Sequence, residues 1–298
     1  LPSPPFIKVP GLANLRDVGG YQVSDQPGKA IRRGLLFRAA EPSKVSAEGV
    51  TVLQGLGITH VYDLRSVIEV ARTTESAGQS PSASGNRSAS QPDEAWPGAK
   101  RFFVPVFLDR DYSPEALAIR FRNYSDGPEG FVRAYETILD AAAEPTHPYA
   151  PFRTIMDHLA SASSSSTAPP SPLLVHCTAG KDRNCTGVLC ALVLALCGVP
   201  DEAIAHEYSL TDLGLAERKD TIVQHLIQTP ALFGDRAKAE VMVGASKDNM
   251  LGTLNFIREK YGSVESYVVD HCNISLAQVD QLRRNLIVDI SDTEPPLD

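Results

Sequence analysis

The chain has 298 residues, 43% of them apolar, and a formal net charge of −8 at pH 7. That length fits one large domain or two small ones, and the apolar share supports a sizeable core. The acidic balance argues against broad nucleic-acid binding, and no run reaches the ~18 apolar residues of a membrane span.

Leu1–Pro10 is a Pro-rich, extended lead-in without the pattern of a signal peptide. Gly19-Gly20 reads as a turn. Asn14, Arg16 and Asp17 read as loop residues that pair locally, with Arg16 also a candidate ligand. Residues 33–39 (RGLLFRA) read as a strand. Ser46 caps a helix running to about Gln54, and Gly55 and Gly57 end it. Residues 58–64 (ITHVYDL) are β-rich, and Asp63 with Arg65 is read as an ion pair at the strand end, close to any site at the sheet's C-terminal edge.

Thr73–Lys100 is rich in Ser, Ala, Gly, Pro and Gln, and is expected to be a disordered insertion with Trp96 anchoring its end. Residues 101–106 (RFFVPV) give another strand, followed by Asp109 and Asp111. Ser113-Pro114-Glu115 suits N-cap, N1 and N2 of a helix to about Tyr124. Helical spacing predicts helices over 130–143 and around Phe152–Leu159. His147 and His158 are placed at the surface or at helix ends. Ser161–Pro172 is a second expected disordered insertion.

Leu173–His176 reads as a buried parallel strand, and Thr186–Cys197, apolar on all sides, as a buried helix. Gly198 and Pro200 stand where that helix ends. Between strand and helix lies Cys177-Thr178-Ala179-Gly180-Lys181-Asp182-Arg183. A strand, a short loop and a helix start converge backbone N–H groups and the positive helix end on one point, which favours an anion. A helix start with Arg and Lys nearby brings a Cys pKa into the ~3.5–7.5 range, so Cys177 suits a nucleophile. Arg183 offers a planar fork for two phosphate oxygens. Gly180 permits the turn, and Lys181 adds a point charge. Asp182 would repel phosphate unless protonated or turned away, which makes it a candidate general acid. A buried inert thiol explains none of these polar neighbours. A nucleotide-binding loop needs Gly where Val175 stands and Ser or Thr where Asp182 stands.

The remainder reads as helical: 201–208, 213–228, 247–260 and 261–288, with Ser275-x-x-Gln278 as a capping box and 291–298 as a frayed acidic tail. The five cysteines, Cys177, Cys185, Cys190, Cys197 and Cys272, are few and odd in number. They fit a reducing compartment, so a cytoplasmic location is expected.

The run HCTAGKDR (176–183) resembles the signature loop of the cysteine-based protein tyrosine phosphatase superfamily, in its bacterial and fungal tyrosine phosphatase-like branch. The Asn-x-Arg-Asp-x-Gly-Gly-Tyr segment ending at Tyr21, the Asp-Leu-Arg-Ser run at 63–66 with Glu69, and the closing 261–288 segment resemble the same branch. The resemblance spans roughly Phe6 to Val288 apart from the two insertions. It implies an α/β cysteine phosphatase fold, with a central, mostly parallel sheet flanked by helices and a helical C-terminal part, as a single domain over 1–298. It also implies a lid from the segment after Asp109 and Asp111, and makes those two carboxylates rivals of Asp182. One departure stands out. The family's Thr or Ser directly after Arg, which stabilises the departing sulfur, is here preceded by Asn184 and Cys185, two residues that can displace the Thr186 hydroxyl or delay the helix start, with Asn184 a substitute donor.

The implied reaction is two-step phosphomonoester hydrolysis with Cys177 as nucleophile. Phosphate is bound by Arg183, Lys181 and the backbone N–H groups of Thr178, Ala179, Gly180, Lys181, Asp182 and Arg183. The acid is Asp182 first, Asp109 second, Asp63 third. His176 tunes the thiolate through the backbone. No metal or cofactor is expected. The partners are a phosphorylated protein, lipid or small molecule. The alternatives are a phosphate-binding pseudophosphatase, or an enzyme of small-molecule metabolism using the same thiol.

Overall fold

The computed structural model describes residues 1–76, 92–162, 168–181, 186–229 and 232–292. Its strands are β1 (Arg16–Asp17), β2 (Lys29–Ile31), β3 (Leu36–Ala39), β4 (His60–Asp63), β5 (Asp93–Trp96), β6 (Ala99–Phe103), β7 (Leu173–His176) and β8 (Ile287–Asp289). Six of them form one sheet in the order β1-β3-β7-β4-β6-β5. The inner strands β3, β7, β4 and β6 are parallel, and the edges β1 and β5 run antiparallel to them. β2 and β8 form a separate antiparallel pair.

The register decides where the site falls. Ala39 and Asp63 both align with His176, and Phe103 aligns with Asp63. The C-terminal ends of all four parallel strands therefore lie along one edge, and β7 opens its loop from the middle of that edge. The Leu-Leu-Val-His sequence of β7 is buried throughout, as a strand covered on both faces must be.

Successive strand residues serve opposite faces. Phe37, Val61 and Leu174 join a smaller cluster with Leu53 of α1 (Ala47–Gly55) and Trp96. Leu36, Tyr62, Leu173 and Val175 join the main core on the other face. That core is filled by α4 (Gly127–Ala142), α5 (Pro151–Leu159), α6 (Thr186–Leu196) and α7 (Asp201–Ser209), preceded in the chain by α2 (Val67–Ser76) and α3 (Pro114–Ser125). Beyond them come α8 (Thr211–Gly214), α9 (Ala216–Leu226), α10 (Arg236–Val243), α11 (Lys247–Tyr261), α12 (Val264–Ser266), a single π-helical turn (Tyr267–His271) and α13 (Leu276–Leu286). The architecture is α/β, with a mostly parallel sheet flanked by helices. Among the described residues no helix is long and apolar enough to cross a membrane.

The caps at Ser46 and Ser113 and the Ser275/Gln278 capping box form as the residue types dictate. Three expectations change. The insertion expected over Thr73–Lys100 is narrower: α2 continues to Ser76, and Asp93–Trp96 is an edge strand on β6. An edge strand satisfies only half its ladder and keeps polar residues, so its composition resembles the insertion beside it. The helix expected over 213–228 is broken at Leu215 (φ −108°, ψ 2°) between α8 and α9, and Gly214 packs so closely on Asn14 that a Cβ there would lie 2.0 Å from Asn14 Oδ1. His147 is buried, not at the surface, with Nε2 donating to the Val106 carbonyl at 3.1 Å. The second insertion lies outside the described residues at 163–167, as does the tail at 293–298.

Candidate active site

β7 delivers Cys177 to the centre of the sheet edge, and α6 begins at Thr186 behind it. The thiol is fully buried. Burial pushes its pKa up, while the Thr186 side chain and the Ala179 and Gly180 backbone N–H groups favour the thiolate, and Glu69 opposes it. Thr186 opens α6 directly after Asn184 and Cys185 in the chain, with its hydroxyl oxygen inside the fold. That oxygen, fully buried, has no partner of good hydrogen-bond geometry among the described residues.

Gly180 turns the loop with φ +67°, and its Cα packs on the end of β3, where a Cβ would lie 2.3 Å from the Ala39 carbonyl oxygen. Only glycine combines that backbone angle with that approach. Gly187 N donates to the Lys181 carbonyl at 2.8 Å, which ties the described end of the loop to the first turn of α6.

Beneath the loop lies a charged layer at the strand ends. Asp63, fully buried, accepts from Arg65 Nε at 2.9 Å and Nη2 at 2.8 Å and from Arg101 Nη2 at 2.7 Å. Burial disfavours its charge, but the charges of Arg65 and Arg101, hydrogen-bonded to it, hold the carboxyl well below the usual range. His176 Nε2 stands 3.8 Å from Asp63, and Nδ1 donates to the Cys177 carbonyl at 3.3 Å. Burial pushes the imidazole down to about 4, so it is neutral near pH 7.

Beside the thiol, Glu69 of α2 accepts from the Thr178 hydroxyl at 3.3 Å and from the Tyr112 hydroxyl at 2.8 Å. The loop forms part of the wall of a 480 Å³ cavity. Thr178, Ala179 and Lys181 line it on the loop side, with Glu41, Glu69 and Arg72 near them. Tyr124, Leu215, Ile222, Leu226, Met242 and Val243 make the rest of the wall mainly apolar, and Arg218 and His225 bring polar ends from α9. The Lys181 ammonium donates to the Met242 carbonyl at 3.0 Å and sits 4.7 Å from the centre of the Phe131 ring, so it lies along the wall, against α4 and α10.

Cys177, Thr178, Ala179, Gly180 and Lys181 make up the described part of the loop, and its Lys181 ammonium is bonded to the Met242 carbonyl. Asp182, Arg183, Asn184 and Cys185 lie outside the described residues. Asp109 is exposed at the start of a short 3-10 turn and is not among the described residues of the cavity wall. Asp111 accepts from Leu108 N at 2.8 Å and caps that turn. The sequence reading left Glu69 and the apolar wall without a role. The wall comes from α9 and α10, far along the chain, and Glu69 carries no local signal beyond its place after Asp-Leu-Arg-Ser.

A fully buried thiol thus stands between a parallel strand and the start of a helix, in a loop turned by Gly180. The chain matches the tyrosine phosphatase family model over residues 7–288, and it belongs to that family. Among its relatives is the triple specificity protein phosphatase PtpB of Mycobacterium tuberculosis, 30% identical over 292 residues that cover 94% of this chain and 98% of that protein. A Cupriavidus necator protein, provisionally named a tyrosine-protein phosphatase, is 27% identical over 90% of this chain and 84% of its own.

Proposed function

We propose that the chain hydrolyses phosphomonoesters through a phosphocysteine on Cys177. The observation that carries this reading is the fully buried Cys177 at the end of the parallel strand β7, with Gly180 turning the loop after it and α6 starting behind it. In the first step the thiolate attacks phosphorus, the bond to the leaving oxygen breaks, and an Asp carboxyl protonates that oxygen. In the second, water attacks phosphorus, the S–P bond breaks, and the same Asp takes the water proton. Arg183 and the N–H groups of 178–183 hold the equatorial oxygens, and Lys181 joins them by exchanging its bond to the Met242 carbonyl for one to phosphate. Asp182 remains first for the acid on its place in the loop. Asp63 is the weakest of the three, because its partners keep it ionised. No step of this scheme uses a metal or cofactor.

The apolar side chains of Leu215, Ile222, Leu226, Met242 and Val243 suit a phosphate borne on an aryl group, as in phosphotyrosine, while Arg218 and His225 offer partners to a polyol phosphate. The name of the mycobacterial relative is reason to assay more than one substrate class. Cys190, Cys197 and Cys272 are buried and unpaired, their thiols pushed up to about 12, which suits a reducing, cytoplasmic setting.

The test is hydrolysis of an aryl phosphate and of an inositol phosphate by the wild type, Cys177→Ser, Asp182→Asn and Asp109→Asn, with mass spectrometry of quenched reactions. Turnover lost in Cys177→Ser, with a phosphate adduct on the wild-type chain, supports the reading. An adduct without turnover points to the phosphate-binding alternative. Neither adduct nor turnover on any phosphomonoester overturns it.

A further inference from the structure

The described part of the loop is held by its carbonyls. Thr178 O accepts from Glu41 N at 3.3 Å, and Lys181 O from Gly187 N at 2.8 Å. Between them, Ala179 O accepts from Asn14 Nδ2 at 3.1 Å, and Gly180 O from Asn14 Nδ2 at 3.3 Å and Arg38 Nη2 at 2.8 Å. In a trans peptide unit the N–H points opposite to the C=O. Fixing these four oxygens outward therefore turns the N–H groups of Ala179, Gly180 and Lys181 toward the loop's interior, where an anion would sit.

The two side-chain donors are themselves held by one carboxylate that does not line the cavity. Glu207 of α7 accepts from Arg38 Nη1 at 2.6 Å on one oxygen and from Arg16 Nε at 2.7 Å on the other. Arg16 in turn donates through Nη1 to Asn14 Oδ1, and so orients the Asn14 amide. Arg16 Nη2 donates to the Glu207 carbonyl at 3.2 Å and to Thr211 Oγ1 at 2.9 Å. Arg16 and Arg38 are completely buried, and Glu207 is 2% exposed. Stripping three charges of water is costly, and packed apolar side chains would serve stability as well or better. The arrangement makes sense as geometry: a bidentate carboxylate fixes the planes of two guanidinium groups, and these fix the loop.

Building on the phosphatase reading, we propose that Glu207 is a positioning residue for the phosphate-binding loop, acting through Arg38 directly and through Arg16 and Asn14. It touches neither substrate nor reacting atoms.

The test uses the full chain with Glu207→Gln, which keeps the shape and removes the charge, and Asn14→Gly, which removes the amide. Glycine suits the φ of +59° at position 14, so the second variant carries no backbone penalty and leaves the buried charges of Arg16, Arg38 and Glu207 paired. Ile155→Val, a core change on α5, controls for lost stability. Three readouts are taken: the pH midpoint of Cys177 alkylation by iodoacetamide, the affinity for inorganic phosphate, and kcat and KM on an aryl phosphate. In each folded network variant the alkylation midpoint is expected to rise by about one pH unit and phosphate affinity to fall about tenfold, as loop amides turn from the sulfur. A fall in kcat of roughly 10²-fold with a smaller change in KM is expected, and Ile155→Val should leave the thiol midpoint in place. Network variants that keep the wild-type midpoint and phosphate affinity overturn the positioning role, whatever their stability. If the wild type hydrolyses nothing yet the variants still shift the midpoint and lose phosphate, the positioning role stands and hydrolysis falls.

Discussion

Gly180→Ala tests the geometry of the loop most directly. The residue has φ +67°, where an L side chain costs about 1–2 kcal/mol. The new Cβ would meet only backbone: the Ala39 oxygen at 2.3 Å, the Ala39 carbon at 2.4 Å and Ala40 N at 2.7 Å. Cβ atoms essentially never come nearer than 3.0 Å to such atoms, so loop and strand must part by roughly 0.7 Å. The strand does not give way easily: β3 pairs with β1 and β7, and Ala40 N donates to the Ala13 carbonyl at 3.0 Å. The loop therefore moves, taking its amides from the sulfur. A displacement near 1 Å costs roughly 10² in rate, and kcat/KM on an aryl phosphate is expected to fall by about that factor. Stability in urea is expected to fall by about 1–3 kcal/mol. Gly28→Ala is the control, since Gly28 has φ +83° but nothing within 4 Å of its Cβ position. It should show the backbone cost alone, about 1–2 kcal/mol, with unchanged turnover. If Gly180→Ala keeps wild-type kcat/KM, the close packing of loop on strand does not set the position of the amides, and the reasoning fails.

Asp63→Asn leaves Arg65 and Arg101 facing a neutral group in a buried layer, and should destabilise the protein by about 3–5 kcal/mol at pH 7. Because the folded-state pKa of Asp63 is depressed, its stabilisation is present above the unfolded value of about 4 and is lost as pH falls through the folded value. Urea midpoints of wild type and variant should therefore differ steadily down to about pH 4 and converge below it. A constant difference down to pH 2 contradicts a depressed carboxyl. Trp96→Ala empties the smaller cluster behind the sheet and should cost about 3–5 kcal/mol by circular dichroism melts. Per folded molecule its kcat should match the wild type, because the site is on the other side of β4 and β7. A kcat loss larger than the folded fraction explains would mean that the edge strand reaches the site.

The short-range features were legible in the chain because their causes are local. Ser46, Ser113 and Ser275 cap helices by bonding residues two or three positions on, and the apolar run of Thr186–Leu196 can only be buried. The loop from Cys177 to Lys181 between strand and helix likewise needs only strand, glycine and helix start in sequence. The ion pair of Asp63 with Arg65 spans two residues, and was visible for the same reason.

What the sequence by itself determined is therefore the family and the α/β frame, with Cys177 at the end of its buried parallel strand. The tertiary structure decided how the loop after Cys177 is held and what lies over it. Arg16 pairs with its neighbour Asn14 as the sequence suggests, but its carboxylate partner lies 191 positions away, and Arg38 reaches 142 positions to the Gly180 carbonyl. The cavity wall joins α3, α9 and α10, none of which shares a local pattern with the loop. Helix caps and strands follow from contacts a few residues long, which periodicity encodes. A buried charge network and an apolar pocket follow from contacts between distant segments, and no single stretch of chain carries both halves of them.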